Sequence, residues 1–365
     1  MRWRETSALA ELGAATFRSE GPMPERTNRQ WVLASRPEGL AGEQNFRWTE
    51  TRVPPLKEGE VLVRNLWLSF DPTQLGWTKT DTYVPKVPLG EPMRAIGVGQ
   101  VVESRHPGFT AGEMVTGMLG WQDYLLTDGD RSGRVQKLPP RVPASLALGL
   151  FGITGMSAYF GVTEIGRVQA GETFVVSSAA GAVGSIAGQI AKIRGAHVIG
   201  IAGGPTKCGW LRREAGFDAA IDYRSEKVGP RLSALCPKGI DVYFDNVGGE
   251  ILDEVLARIN LHARIVLCGG ISGYATREFP PVRNYVALTV KRARMEGFLV
   301  LDYTARYPEA VRALAGWLAE GRLTPKEDVA TGLENAPKTL ARLFTGENFG
   351  KQLLKIADPP LPVPG

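Results

Sequence analysis

The segment Ala179, Ala180, Gly181, Ala182, Val183, Gly184 follows an apolar run, Phe174 to Ser178, and leads straight into a stretch of helical character. In that setting each glycine has a physical use. Gly181 lets the backbone approach a pyrophosphate and Gly184 lets the helix lie close on the strand. The helix start supplies free N–H groups and a partial positive charge to phosphate oxygens. Ala179 stands where the usual pattern has its first glycine. A ligand-free tight turn would use similar residues, but the strand before and the helix after are what the phosphate-binding motif demands. Which dinucleotide binds is read at the end of the next strand, where an acidic residue would bond the ribose 2′-hydroxyl of NAD. Here the run His197 to Ala202 passes into Gly203, Gly204, Pro205, Thr206 and Lys207, with no acid. A cation in the first turn of a helix is disfavoured unless an anion sits nearby, so Lys207 points to a 2′-phosphate and to NADPH. A solvated lysine is the plainer alternative. Metal chemistry has few candidates: a catalytic zinc needs three side-chain ligands, and the chain has His106, His197 and His262 in separate settings and only three cysteines. No metal site is expected.

The elements that must position these residues follow from patterning. Short apolar runs without helical period, Thr173–Ser178, His197–Ala202, Asp241–Val247 and Ala263–Cys268, alternate with helical stretches at Val183–Arg194, Thr206–Ala215, Glu226–Leu235 and Glu250–Ile259. Such alternation predicts βαβ units and a doubly wound parallel sheet, an α/β fold. Before it, Glu60–Trp67, Gly97–Val102, Met114–Thr116 and Asp123–Leu126 are β-rich and separated by Gly and Pro clusters, which predicts a small β-barrel lobe. After it come helices near Pro308–Glu320 and Ala336–Phe344 and a closing strand Lys351–Ile356 that returns to the first lobe. The first 26 residues read as an appendage ending in Gly21, Pro22, Met23 and Pro24. A length of 365 residues suits two lobes, and 43% hydrophobic with 22% charged residues is a globular balance. The mild charge of +5 is dispersed, which argues against nucleic acid as a partner. No apolar run reaches the length of a membrane span, and Cys208, Cys236 and Cys268 are odd in number and widely spaced, as in a cytoplasmic protein.

Taken in order, Ser69–Pro72 (SFDP), Gly152–Gly161 (GITGMSAYFG), Ser178–Lys192 (SAAGAVGSIAGQIAK), Phe244–Glu250 (FDNVGGE), Cys268–Tyr274 (CGGISGY) and Glu347–Gln352 (ENFGKQ) resemble the medium-chain dehydrogenase/reductase superfamily. Within it they resemble the zinc-free branch of leukotriene B4 12-hydroxydehydrogenase, prostaglandin reductase and alkenal double-bond reductases. The resemblance spans about Asn28 to Pro359. It implies a GroES-like β-barrel catalytic domain over 27–152, an NADP-binding Rossmann domain over 153–303, a return to the catalytic domain over 304–358 and a tail over 359–365. Where zinc-binding relatives carry a Gly-His-Glu triplet, this chain has Arg94, Ala95 and Ile96.

By position, the resemblance implies that Gly181, Ala182, Val183 and Gly184 hold pyrophosphate and that Lys207 and Tyr223 hold the 2′-phosphate. It sets Asn246, Cys268, Gly269, Phe298, Leu299, Val300 and Asn348 on the nicotinamide side, with Tyr274 as the catalytic residue. Asp71, Met93 and Trp121 either shape the substrate pocket or pack the barrel. Thr73, Gln74, Leu75 and Gly76 depart from the Tyr, Met and Arg usual after the Asp-Pro pair, and Thr154 replaces a proline, so the substrate is left open. The activity implied is NADPH-dependent reduction of the double bond of an enal or enone, with Tyr274 or a ribose hydroxyl stabilising the enolate oxygen. A quinone reductase and a non-catalytic NADPH-binding sensor are the alternatives. A homodimer is expected, with Met295–Leu301 as its edge strand.

Overall fold

The computed structural model describes residues 25–129, 135–276 and 280–363. Residues 1–24 of the expected appendage, and the last two of the expected tail, lie outside the described residues. In the first lobe β1 (Thr27–Leu33) pairs antiparallel with β2 (Phe46–Arg52). The strand β3 (Val61–Ser69) leads to a short helix α1 (Thr73–Lys79), then β4 (Ile96–Ser104), β5 (Met114–Met118), β6 (Tyr124–Thr127) and β7 (Val135–Lys137). β3 is the hub of this antiparallel sheet, pairing with both β4 and β6. Its residues Val61, Val63 and Leu68 enter a core built around Trp121, whose ring lies 4.9 Å from Phe46 and 5.3 Å from Phe70. Trp121 and Met93 are wholly enclosed there, so of the two roles open to them they pack the barrel.

Two helices, α2 (Ala144–Leu148) and α3 (Ile153–Phe160), lead into the second lobe. Its elements are β8 (Thr173–Val176), α4 (Ala182–Ile193), β9 (His197–Ala202), α5 (Pro205–Arg213), β10 (Ala219–Asp222), α6 (Val228–Leu235), β11 (Ile240–Asp245), α7 (Gly249–Leu256) and β12 (Ile259–Leu267). A one-turn helix α8 (Ile271–Tyr274), α9 (Val286–Val290) and β13 (Arg294–Gly297) complete it. The six strands are parallel in the order β10-β9-β8-β11-β12-β13. Side chains alternate between faces with the strand period: Phe174 and Val176 meet α3 and α4, whereas Val175 joins the core of α6 and α7. Both faces are covered, which explains the unbroken apolar runs. The strand order reverses between β8 and β11, and ligands of such sheets bind outside the carboxyl ends of the strands at that reversal.

The expected strand Thr173–Ser178 stops at Val176 because Ser178 turns into the left-handed region at φ 49°. The turn then leads into α4, where a Cβ at Gly184 would lie 2.4 Å from the Ser178 carbonyl oxygen. The expected edge strand Met295–Leu301 is corrected to Arg294–Gly297, with a 3-10 turn from Val300 onward. The helix α10 (Tyr307–Ala319) packs against α3 in the core beside Phe174, so the chain re-enters the first lobe only with β14 (Glu327–Thr331), rather than at 304. After α11 (Ala336–Thr345), the strand β15 (Lys351–Lys355) pairs with β14 and antiparallel with β3. Where β15 begins, the lobes join: Gly350 N–H donates to the Ala180 carbonyl at 2.8 Å. The buried Lys351 ammonium donates to Asp71 Oδ1 at 2.6 Å and to the Phe70 carbonyl at 3.0 Å.

Candidate active site

The site is assembled from three strand ends. At the tip of β11 the buried Asp245 offers one oxygen, Oδ1, to four donors: Tyr243 hydroxyl at 2.8 Å, Ser177 hydroxyl at 3.0 Å, and the Val247 and Gly248 N–H groups, both at 2.9 Å. Asn246 N–H returns to Ser177 Oγ at 2.8 Å, and the Asn246 amide donates to the Ser177 carbonyl at 2.8 Å. The Asp245 carbonyl accepts Cys268 N–H at 2.9 Å and Gly269 N–H at 3.1 Å. The ends of β8, β11 and β12 are thereby fixed to one another, and their loops share the mouth of the sheet. The loop after β12 is tied down further by Ile271 N–H on the Asn246 carbonyl and Ser272 N–H on the Val247 carbonyl, both at 3.2 Å.

A cleft of about 380 Å³ opens over these ends, between the two lobes. Ser178, Ala180 and Gly181 line it from the glycine turn, Val247, Ile271 and Ser272 from the β11 and β12 loops, and Gly346 and Asn348 from the returning chain. Of the residues expected to bind the dinucleotide, Gly181, Lys207, Tyr223 and Asn348 share this wall. Ala182, Val183 and Gly184 form the first turn of α4 beside it.

At one end Lys207 donates to the Gly346 carbonyl at 2.7 Å, and burial holds its pKa below the usual lysine value, with the Arg224 charge nearby adding to the effect. A half-desolvated ammonium beside another cation is the arrangement an anion would relieve. Arg224 was not singled out in the sequence. It reaches the Thr345 carbonyl at 3.3 Å, and a Cβ on Gly346 would stand 3.0 Å from its guanidinium. It follows β10, whose final residue Asp222 accepts Gly204 N–H at 2.7 Å and so fixes the turn before Lys207. That backbone hydrogen bond keeps the Asp222 pKa below the usual carboxylate range.

Between the cleft-lining Ser272 and Ala275, Tyr274 closes α8, half-buried against the first-lobe core, and its hydroxyl accepts Gly270 N–H at 3.2 Å. Burial raises its pKa, so the phenol is a proton donor at neutral pH. Cys268 lies close by, its thiol pushed up to about 12 by burial and then by Asp245. The structure does not bring Phe298 and Val300 to the cleft wall. The Phe298 ring approaches Gly161, a Cβ there standing 3.0 Å from the ring edge, and Val300 joins the core of the parallel sheet. Leu299, between them, is half-buried.

Among the described residues no group of three or more His, Cys, Asp or Glu side chains could hold a metal ion. Arg94, Ala95 and Ile96 carry no zinc-ligating side chain, and His106 packs edge-on to Phe109 at 5.3 Å in an outlying turn. The residues present do not fit a catalytic zinc.

Comparison with known proteins agrees with this architecture. Residues 29–135 match the family described as the N-terminal domain of oxidoreductase, and residues 182–316 the family described as zinc-binding dehydrogenase. The chain is 41% identical to the NADPH-dependent curcumin reductase of Escherichia coli, over 90% of this chain and 97% of that protein. It is 38% identical to the NADP(+)-dependent 2-alkenal reductase of Nicotiana tabacum, over 91% and 98% of the two chains. The crystal structure of CurA in complex with NADPH from Vibrio vulnificus superimposes with a TM-score of 0.86 at 40% identity, covering 91% of this chain and all of that one.

Removing the Asp245 carboxylate should strand four donors in a dry interior. Asp245→Ala is expected to cost about 3–5 kcal/mol, read as a lower urea midpoint, and to weaken dinucleotide binding. An unchanged midpoint would show that the strand ends do not depend on it.

Proposed function

We propose, for a chain that belongs to the zinc-independent medium-chain dehydrogenase/reductase family, the NADPH-dependent reduction of the carbon–carbon double bond of α,β-unsaturated aldehydes or ketones. The observation that carries this reading is one cleft with a cationic pocket around Lys207 and, on its wall, Ile271, Ser272 and Ala275 of the segment that carries the protonated phenol of Tyr274. Its relatives supply the reaction class: a curcumin reductase and a 2-alkenal reductase, at 41% and 38% identity. When bound, the reduced nicotinamide supplies a hydride to the β-carbon of the substrate. The chain's own residues bind and orient. The glycine turn at Gly181 receives the pyrophosphate, and Lys207, Tyr223 and Arg224 receive the 2′-phosphate. Asn246, Gly269 and Asn348 border the nicotinamide side. The Tyr274 hydroxyl donates to the carbonyl oxygen as negative charge develops there, which stabilises the enolate in a site partly shielded from water. Solvent then protonates the α-carbon.

With cofactor deuterated at the transferable position, an enal or enone should acquire deuterium at the β-carbon and yield the saturated carbonyl compound. Deuterium at the carbonyl carbon, or turnover of quinones alone, would overturn the reading.

The phosphate pocket has its own test. Lys207→Ala and Arg224→Ala should each weaken NADPH binding by about tenfold to a hundredfold and leave NADH within about twofold. Because burial lowers the Lys207 pKa, its ammonium is lost at a lower pH than that of an exposed lysine. The preference for NADPH should therefore narrow as pH rises through that lowered value, and Lys207→Ala should flatten this dependence. Equal NADPH and NADH affinities in the unmodified protein would sink the assignment.

The three free cysteines support a reducing, cytoplasmic setting, and no described helix is long and apolar enough to cross a membrane. For assembly we favour a homodimer through the β13 edge of the parallel sheet, where Tyr285, Val286 and Val290 stand exposed on and beside α9. Light scattering at micromolar concentration should give twice the chain mass, and Val290→Glu should reduce it to one. A monomeric mass for the unmodified protein would exclude the dimer.

A further inference from the structure

Lys79 is the last residue of α1, in the first lobe, and is 9% exposed. Its ammonium crosses to the second lobe, where it donates to the Ala275 carbonyl at 2.6 Å and approaches the Tyr274 carbonyl at 3.4 Å. Burying an ammonium is costly unless its protons are satisfied, so these carbonyls are part of what holds it there. They are also the carbonyls that end α8, a four-residue helix too short to be stable alone. The start of α8 is held from the second lobe by Ile271 N–H on Asn246 and Ser272 N–H on Val247. Its end is held from the first lobe by Lys79. The Tyr274 ring rests against the first-lobe core, and its hydroxyl is aligned by Gly270 N–H.

We propose that Lys79 is a positioning residue for Tyr274: by gripping the backbone at the end of α8 it orients the phenol, and it makes that orientation depend on the first lobe being seated. The inference rests on the reading of Tyr274 as donor to the developing oxyanion. Lys79 itself touches neither substrate nor cofactor in this role. Its effect belongs to the hydride-transfer step, where a small misplacement of a donor costs rate without costing cofactor affinity.

The test is a double-mutant cycle. Lys79→Met keeps the apolar stem and removes the donor; Lys79→Gln, which retains a donor, serves if the Met variant does not fold and should recover part of the rate if it does. In single-turnover measurements with saturating NADPH and a good enone, Lys79→Met should slow hydride transfer by about tenfold, with NADPH affinity by fluorescence titration within about twofold of the parent. Hydrogen exchange over residues 268–276 should rise in the same variant. On a Tyr274→Phe background, itself slower than the parent, Lys79→Met should bring no further slowing. An unchanged rate in Lys79→Met, or losses that multiply in the double variant, would overturn the proposal and leave Lys79 a packing residue. A Tyr274→Phe variant as fast as the parent would instead remove the reading of Tyr274, and this inference with it; that result is visible with Lys79 intact.

Discussion

A single buried carboxylate oxygen, Asp245 Oδ1, holds the mouth of the parallel sheet in register. Three loops that carry no regular ladder leave the sheet side by side there, and each would otherwise place its backbone donors in a dry interior. The carboxyl group takes up those of the β11 loop and the Ser177 hydroxyl, while its own main-chain carbonyl takes up those of the β12 loop. Asn246 is bound back onto Ser177 by both its backbone and its side chain. The cleft is therefore preformed in this part, and the floor on which a dinucleotide would lie needs no rearrangement to accept it.

The opposite wall comes from far along the chain. After α10 has closed over the second lobe, the returning strand reaches the first lobe and touches the glycine turn on its way, through Gly350 and Ala180. One residue later Lys351 is pinned to Asp71, at the entry to α1. The glycine turn, the first-lobe sheet and α1 thus share a short length of backbone around Gly350 and Lys351. A buried ion pair adds little net stability when compared with apolar packing, but its geometry is demanding, and here it ties β15 to the chain just before α1.

The parts of this arrangement that were legible in the sequence are those with a local physical cause. Gly181 announces the turn that opens α4 and Gly184 the close approach of helix to strand, and Lys207 is conspicuous in a helix's first turn. The parallel strands announce themselves as apolar runs because both faces are buried. Arg224 was missed since it follows β10, four residues with the sequence AAID at the edge of the sheet and too short to show a pattern. β14 escaped for the same reason, and β13 was expected over Met295–Leu301 rather than Arg294–Gly297, both being brief edge strands with mixed side chains. Phe298 and Val300 illustrate a different limit: a residue's place in the order of a family motif does not say which way its side chain turns, and here tertiary packing draws Val300 into the core and sets Phe298 against it. Nor could one sequence reveal that Lys79 and Ala275, 196 residues apart, meet where the two lobes touch.

Cys268 lends the site a chemical durability. Enals and enones are conjugate acceptors, and the soft nucleophile they alkylate most readily in proteins is a thiolate. A cysteine beside Tyr274 would be a liability if it ionised. Burial, with the Asp245 charge nearby, pushes its pKa up to about 12, so the thiol stays protonated at neutral pH. The environment that sets the backbone of this loop also keeps its sulfur protonated, the form that conjugate acceptors alkylate least.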